Sequence, residues 1–252
     1  MGFAIEVQNI RKSFGNLHAL DDISFGAEEK SLTILMGPNG SGKTTLINVI
    51  GGLYKPDSGK VFFRGKDITG LSPHDVYRRG LARTFQIPSL FPQLTVLENV
   101  MVAKKDNPGE SFARSLVKKS WISEEERTAE IAFDVLAMVG LSHMWDHRAA
   151  VLSGGQLKLL EIGRALISNA SVILLDEPIS GVNPTLAHEI FSTLIKLRDN
   201  YGITFLIIEH RLDIALSYVD AVIAMAYGKL LITGTPQEVT SDTRVIDAYL
   251  GG

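Results

Sequence analysis

The chain has 252 residues, 45% of them hydrophobic and 21% charged, with 25 Lys and Arg against 28 Asp and Glu for a formal net charge of −3. That balance excludes a disordered or low-complexity chain, and it gives no overall positive field of the kind that captures nucleic acid. Zero cysteines exclude a disulfide framework and a cysteine-based metal site, while the longest apolar runs, ITFLII (203–208) and AVIAMA (221–226), fall far short of the ~20 residues a membrane-spanning helix needs.

The chain begins MGFAIEVQNIRK, with no basic segment followed by a long apolar core, so no secretory signal is expected and a cytosolic location fits. Phe3, Ile5 and Val7 alternate with Ala4, Glu6 and Gln8, the period of a half-buried strand, which reads as an edge or meander strand. SLTILM (31–36) reads instead as a strand buried on both faces. A glycine-rich loop follows it, and then the apolar-periodic segment TTLINVIGGL, completing a strand–loop–helix unit. Pro56-Asp57-Ser58-Gly59 marks a turn.

From about residue 98 to 168 no strand-like run occurs. Ser123-Glu124-Glu125-Glu126 has the form of a capping box opening a helix, with Ala129, Ala132, Leu136 and Val139 at helical spacing and Gly140 ending it. VILLD (172–176) and ITFLIIE (203–209) are two more buried-strand runs followed by helix-like sequence, and Tyr227-Gly228 is a simple turn. The expectation is an α/β lobe built on a largely parallel sheet flanked by helices, with a helical lobe inserted into it.

The loop GPNGSGKTT, residues 37 to 45, satisfies G-x-x-x-x-G-K-[ST] between the buried strand and the helix. In that setting the pattern is a phosphate cradle, with backbone N–H groups wrapped around phosphate at a helix N-terminus. Gly37, Gly40 and Gly42 permit positive φ and let the backbone approach phosphate oxygens. Lys43 adds a point charge for the outer phosphates, and the Thr44 hydroxyl suits Mg²⁺. The cradle comprises Gly37, Pro38, Asn39, Gly40, Ser41, Gly42, Lys43, Thr44 and Thr45.

A cradle alone hydrolyses nothing. VILLDEP supplies the missing groups: Asp176, at the carboxyl end of a buried strand, is placed to reach Mg²⁺, and Glu177 is placed to orient or deprotonate water. In LSGGQLKLLEIGRAL (152–166) two further glycines precede Leu159, Ile162 and Leu166 at helical spacing, a second anion site in form or a helix N-cap by Ser153.

GPNGSGKTT, LSGGQ and VILLDE, in that order, resemble the motifs of the ATP-binding cassette (ABC) ATPases, and the similarity runs over essentially the whole chain. It implies a P-loop NTPase fold of α/β class: a mixed, largely parallel sheet core with an N-terminal antiparallel β subdomain, residues 1–88 and 160–252 forming the ATP-binding lobe, and residues 89–159 the inserted helical signature lobe. In that family Ser153, Gly154, Gly155 and Gln156 would close on ATP held by a second subunit. The resemblance further makes Phe14 the adenine-stacking aromatic, although many relatives have tyrosine there, Gln86 a contact to Mg²⁺ and the attacking water, and His210 the group that stabilises the γ-phosphate. Asn183 stands in SGVNP, in the loop that crosses the dimer seam, where many cassettes have aspartate. Locally, Asn183-Pro184 is also an N-cap followed by proline at the first helical position. The other histidines (His18, His74, His143, His147, His188) are assigned structural or solvated roles.

Finer text, including LARTFQIPSLFPQLTVLENV, EPISGVNP and IIEHRLDIALSYVD, resembles the ATPase subunits of branched-chain amino-acid importers. The implied partners are permease subunits, a second ATPase subunit, either an identical chain or a sister ATPase, and an external solute-binding protein, with no nucleic acid. The implied cofactors are ATP and Mg²⁺, and the implied location is the cytoplasmic face of the membrane as a peripheral subunit. A lipid or polysaccharide exporter subunit, and a soluble non-transport ABC ATPase, are the alternatives at this point. The apolar loop Pro88-Ser89-Leu90-Phe91-Pro92 is the candidate docking surface for the permease, the other reading being that Leu90 and Phe91 are buried.

Overall fold

The computed structural model describes residues 2–84, 90–105 and 118–250, with side chains described outside 118–122. Gln86, Pro88 and Ser89 therefore lie outside the described residues. Two compact units are present, one comprising Met1–Gln86 with Ser171–Gly252 and the other Ile87–Ala170. No described helix is long and apolar enough to cross a membrane.

The first unit carries two sheets. Strands β1 (Phe3–Phe14), β2 (Leu17–Glu28), β4 (Ser58–Phe63) and β5 (Lys66–Asp67) form an antiparallel sheet in the order β2-β1-β4-β5. The first strand is thus interior, paired on both sides: it is not an edge strand, while its antiparallel pairing with the next strand, β2, is what the meander reading expects. Ala4, buried together with Ile5 and Val7, breaks the strict alternation, and several register shifts along β1 re-aim successive side chains.

The second sheet runs β10 (Lys229–Gly234), β9 (Ala221–Ala226), β3 (Leu32–Met36), β8 (Thr204–Ile208), β7 (Val172–Asp176), β6 (Leu81–Arg83). All neighbours are parallel except the antiparallel pair β9 and β10. Every residue of β3, β7 and β8 is buried, as continuous apolar runs in a sheet covered on both faces require. Helix α1 (Lys43–Ile50) follows β3 and buries Leu46, Ile47, Val49 and Ile50. Leu35, Leu174, Leu206 and Ile223 from the parallel sheet join Ile5, Ile10 and Ile23 from the antiparallel one in a single apolar cluster. Helix α2 (Pro73–Arg78) leads to the edge strand β6.

The second unit contains α3 (Val96–Met101), α4 (Lys118–Met138) and α5 (Gly154–Ile167), with no strand among its described residues. Helix α4 is described from Lys118, so Ser123 lies inside it and does not cap it as the sequence suggests; Ser123, Glu125 and Glu126 are exposed, while Glu124 pairs with Lys104. Ala132, Leu136 and Val139 are buried as their spacing implies, and Gly140, at φ 74, follows the helix end. All of α5 lies within this unit, whereas the sequence reading returns the chain to the other lobe at residue 160. Gly163 of α5 faces Val135, Val139 and Val100 of the same unit, whose methyl groups a Cβ at this position would meet in ordinary van der Waals contact at 3.4 to 3.7 Å.

In the first unit again, α6 (Pro184–Tyr201) lies between β7 and β8, and α7 (Leu212–Ala215) follows β8. Helices α8 (Pro236–Ser241) and α9 (Thr243–Leu250) complete the described chain.

Candidate nucleotide site

Where β3 ends, the chain cannot turn into α1 with ordinary residues. Gly37 (φ 149) and Gly42 (φ 100) lie in the left-handed half of backbone space, and a Cβ on Gly37 would sit 2.1 Å from the Met225 carbonyl oxygen, on Gly42 2.6 Å from that of Ala19. The loop is thereby pressed onto β9 and β2. Gly42 is the N-cap of that helix and offers no side-chain acceptor, leaving the first-turn N–H groups for an external anion.

Lys43 is buried. Its Nζ donates to the carbonyls of Gly37 (2.8 Å) and Pro38 (3.0 Å) and lies 3.4 Å from Ser41 Oγ. Burial pulls its pKa below the ordinary lysine value, countered in part by the negative charges of Glu177 and Asp176. The ammonium is therefore already aimed into the loop, where it feels the negative charge of Asp176, which ends β7, and of Glu177, the residue after it.

Asp176, 8% exposed, lies within 3.3 Å of Arg83 Nη2, and Arg83 Nη1 also donates to Asn48 Oδ1. Glu177 is the first residue past the strand and has φ 51, a left-handed conformation rare for a residue with a Cβ. Its N–H donates to Ile208 O at 2.9 Å, which pins the sharp turn against the neighbouring strand. The turn brings Glu177 Oε1 to 3.4 Å from His210 Nε2 at the end of β8.

These pieces surround one cleft of about 590 Å³, lined by Phe14, Leu17, His18, Ala19, residues 39–45, Glu177, His210, Tyr227 and Gly228. Phe14 is 43% exposed, so it is a wall of the cleft and not core packing. Its ring is held edge-on to Tyr54 at 5.3 Å, and Lys12 Nζ stands 5.5 Å from its centroid. The structure thus brings together Phe14, the loop residues from Asn39 to Thr45, Glu177 and His210, with Asp176 adjacent. Sequence reasoning did not place Leu17, His18 and Tyr227 at the cleft: His18, assigned a structural or solvated role, lies there with Nδ1 2.9 Å from Ser13 Oγ, and Tyr227, read as a plain turn residue, is 76% exposed in a left-handed turn between β9 and β10. The exposed Leu17 and Tyr227 beside a glycine-rich loop are a signal, but only once β2 and the β9–β10 turn are known to meet there, which the bond from Asp21 N–H to Gly228 O records.

Of the remaining expected residues, Ser153 caps α5: its hydroxyl accepts from Gln156 N–H at 3.4 Å and Gln156 Oε1 accepts from Ser153 N–H at 2.9 Å, a complete capping box. Ser153 and Gly154 are exposed, Gly155 is buried and Gln156 half-buried. Asn183 caps α6, its Oδ1 accepting from Leu186 N–H at 2.9 Å, with Pro184 at the first helical position. Among the described residues no cluster of three or more His, Cys, Asp or Glu forms a metal cage.

Comparison with known proteins agrees with this geometry. The family described as ABC transporter matches residues 20–180, and that described as branched-chain amino acid ATP-binding cassette transporter matches residues 229–252. A probable branched-chain amino acid transport ATP-binding protein LivG of Methanocaldococcus jannaschii is 48% identical over 251 residues, covering 98% of this chain and 97% of the relative. The structure of an ATP-binding cassette of an ABC transporter in its ADP conformation superposes with a TM-score of 0.87 at 47% identity over 100% of both chains. A dimeric cassette in a post-hydrolysis state, bound to ADP and phosphate, gives 0.75 at 27% identity, covering 92% of this chain and 98% of that one. With a phosphate-loop turn, an acidic strand end and a histidine converging on one cleft, and with relatives of this closeness along its whole length, the chain belongs to the ABC transporter family as an ATP-binding cassette.

Proposed function

We propose that this protein is the ATP-hydrolysing subunit of a membrane importer for branched-chain amino acids, working as a pair of ATPase subunits on the cytoplasmic face. The observation that carries the reading is the single cleft where the cradle of residues 39–45, Phe14, Glu177 and His210 meet. The names of the relatives and the carboxyl-terminal family match at 229–252 support the choice of solute.

Phe14 stacks on the adenine, and the amides of the cradle receive the phosphates. Lys43 exchanges its bonds to Gly37 O and Pro38 O for the outer phosphate oxygens, a charge-assisted replacement of neutral acceptors. Thr44 and Asp176 are the hard oxygen donors suited to Mg²⁺, and the Arg83 guanidinium 3.3 Å from Asp176 shows that this buried carboxylate is already compensated by positive charge. Gln86 is the third expected ligand and lies outside the described residues. When bound, the ion would neutralise charge on the transferring phosphoryl group. Glu177 accepts the proton of the attacking water, and His210, 3.4 Å from it, holds the γ-phosphate in line. Ser153 to Gln156 of a second subunit close over the triphosphate, with Asn183 in the loop at the seam; loss of the terminal phosphate lets the two faces part.

Permease docking falls on the loop around Leu90 and Phe91. Phe91 is 47% exposed with the Arg164 guanidinium 5.6 Å from its ring centre, and Leu90 is half-buried. An external solute-binding protein completes the system.

The test is size-exclusion chromatography with light scattering in Mg-ATP for parental and Glu177→Gln protein. The variant is expected to accumulate as an ATP-bound dimer with hydrolysis lost, and a strictly monomeric variant, or one hydrolysing at the parental rate, would refute the reading. With the permease reconstituted, Leu90→Ser with Phe91→Ser is expected to abolish leucine uptake while ATPase activity persists; unchanged uptake rejects the docking surface.

A further inference from the structure

Four contacts join the loop after β7 to the last residue of β8 and the loop that follows it. Two are the bond from Glu177 N–H to Ile208 O at 2.9 Å and the approach of His210 to Glu177 at 3.4 Å. The other two come from residues with no role in the reading above: Glu209 Oε1 accepts from Ile179 N–H at 3.0 Å, and Arg211 Nη1 donates to Val182 O at 3.0 Å. The second oxygen of Glu209 accepts from His210 N–H at 2.8 Å and from Arg211 N–H at 3.1 Å.

Glu209 is 2% exposed. A carboxylate so deeply buried is costly unless its oxygens are fully engaged, and here one oxygen holds each loop. Charged acceptors make stronger bonds to amides than neutral ones do, and a shorter side chain would not span both loops. We propose that Glu209 is a positioning residue for ATP hydrolysis: it fixes the separation of Glu177 and His210, and with Arg211 it ties that pair to Val182, the neighbour of the seam residue Asn183. Closure at the seam is thereby felt at the hydrolytic pair through two side chains. The inference rests on the ATPase reading given above.

Glu209→Gln keeps the shape but turns an NH₂ group toward one of the loops, so one loop loses its acceptor. The expected result is a fall in kcat of about tenfold with KM for ATP within about twofold, because the cradle is untouched. In hydrogen exchange, the Ile179, His210 and Arg211 amides should exchange about tenfold faster or more while the α1 amide of Leu46 keeps its parental rate. Parental kcat, or faster exchange spread equally over β3 and α1 with KM rising as kcat falls, overturns the proposal. If the parental protein shows no ATP turnover, the ATPase reading fails by itself, and exchange still decides: unchanged rates at the three amides refute the clasp, selective acceleration upholds it. Should Glu209→Gln fail to fold, Arg211→Ala, whose side chain is 32% exposed, serves in its place. It is expected to lower kcat about threefold at constant KM, and parental kcat there overturns the link to Val182.

Discussion

The turn at Glu177 stores strain, and comparison of Glu177→Ala with Glu177→Gly measures it. Both variants lose the carboxylate, the approach to His210 and the interaction with Lys43, so those losses cancel between them. What differs is the backbone at φ 51: a left-handed residue with a Cβ costs about 1–2 kcal/mol, whereas glycine adopts that conformation freely but brings an unfolded-state entropy penalty of roughly 0.5–1 kcal/mol. The glycine variant should therefore be more stable by about 1 kcal/mol, which for a chain of this size is a melting temperature higher by roughly 2–4 °C. Scanning calorimetry without nucleotide reads the difference directly, and neither variant should hydrolyse ATP. If alanine melts at or above glycine, the turn is unstrained and the account of how β7 aims its terminal carboxylate is wrong. The bond from Glu177 N–H to Ile208 O shows why the strain persists: the turn is fixed by the neighbouring strand, not by the preference of residue 177.

Three further outcomes follow from the same geometry. Arg83→Gln leaves the buried Asp176 without its 3.3 Å partner and is expected to cost about 3 kcal/mol, with Mg-ATP raising the melting temperature of the variant more than that of the parental protein; equal increments would show that Arg83 does not compensate Asp176. Asn183→Ala removes the α6 cap and should cost about 1 kcal/mol in thermal unfolding, whereas Asn183→Asp, which caps equally well, should be nearly neutral. Asp57 accepts from Lys12 Nζ and Ser13 N–H next to Phe14, and these bonds hold its carboxyl below the usual range. Because the folded value is the depressed one, the stabilisation is complete above the unfolded value and is lost as pH falls through the folded value. The melting difference between parental protein and Asp57→Asn should thus be present at neutral pH and close below about pH 4; a difference that persists in acid would refute the role of the charge.

The glycine-rich turn at residues 37–45, the acidic end of β7 and the capped start of α5 were legible in the sequence because each is a local device. Residues 37–45 dictate their own backbone, the apolar runs of β3, β7 and β8 declare burial on both faces, and Ser153 and Asn183 cap the helices that follow them. Whatever depends on which strands lie side by side was not legible. The interior position of β1, the packing of Gly163 against Val100, Val135 and Val139, and the arrival of Leu17, His18 and Tyr227 at the cleft were decided by partners far away in the chain. So was Glu209, which a single sequence presents as one more acid after a strand. Periodicity and turn chemistry act over a few residues and survive without context, while the hydrogen bond from the Ile179 N–H to the Glu209 carboxylate exists only because β7 and β8 pair in parallel and release their two loops at the same end of the sheet.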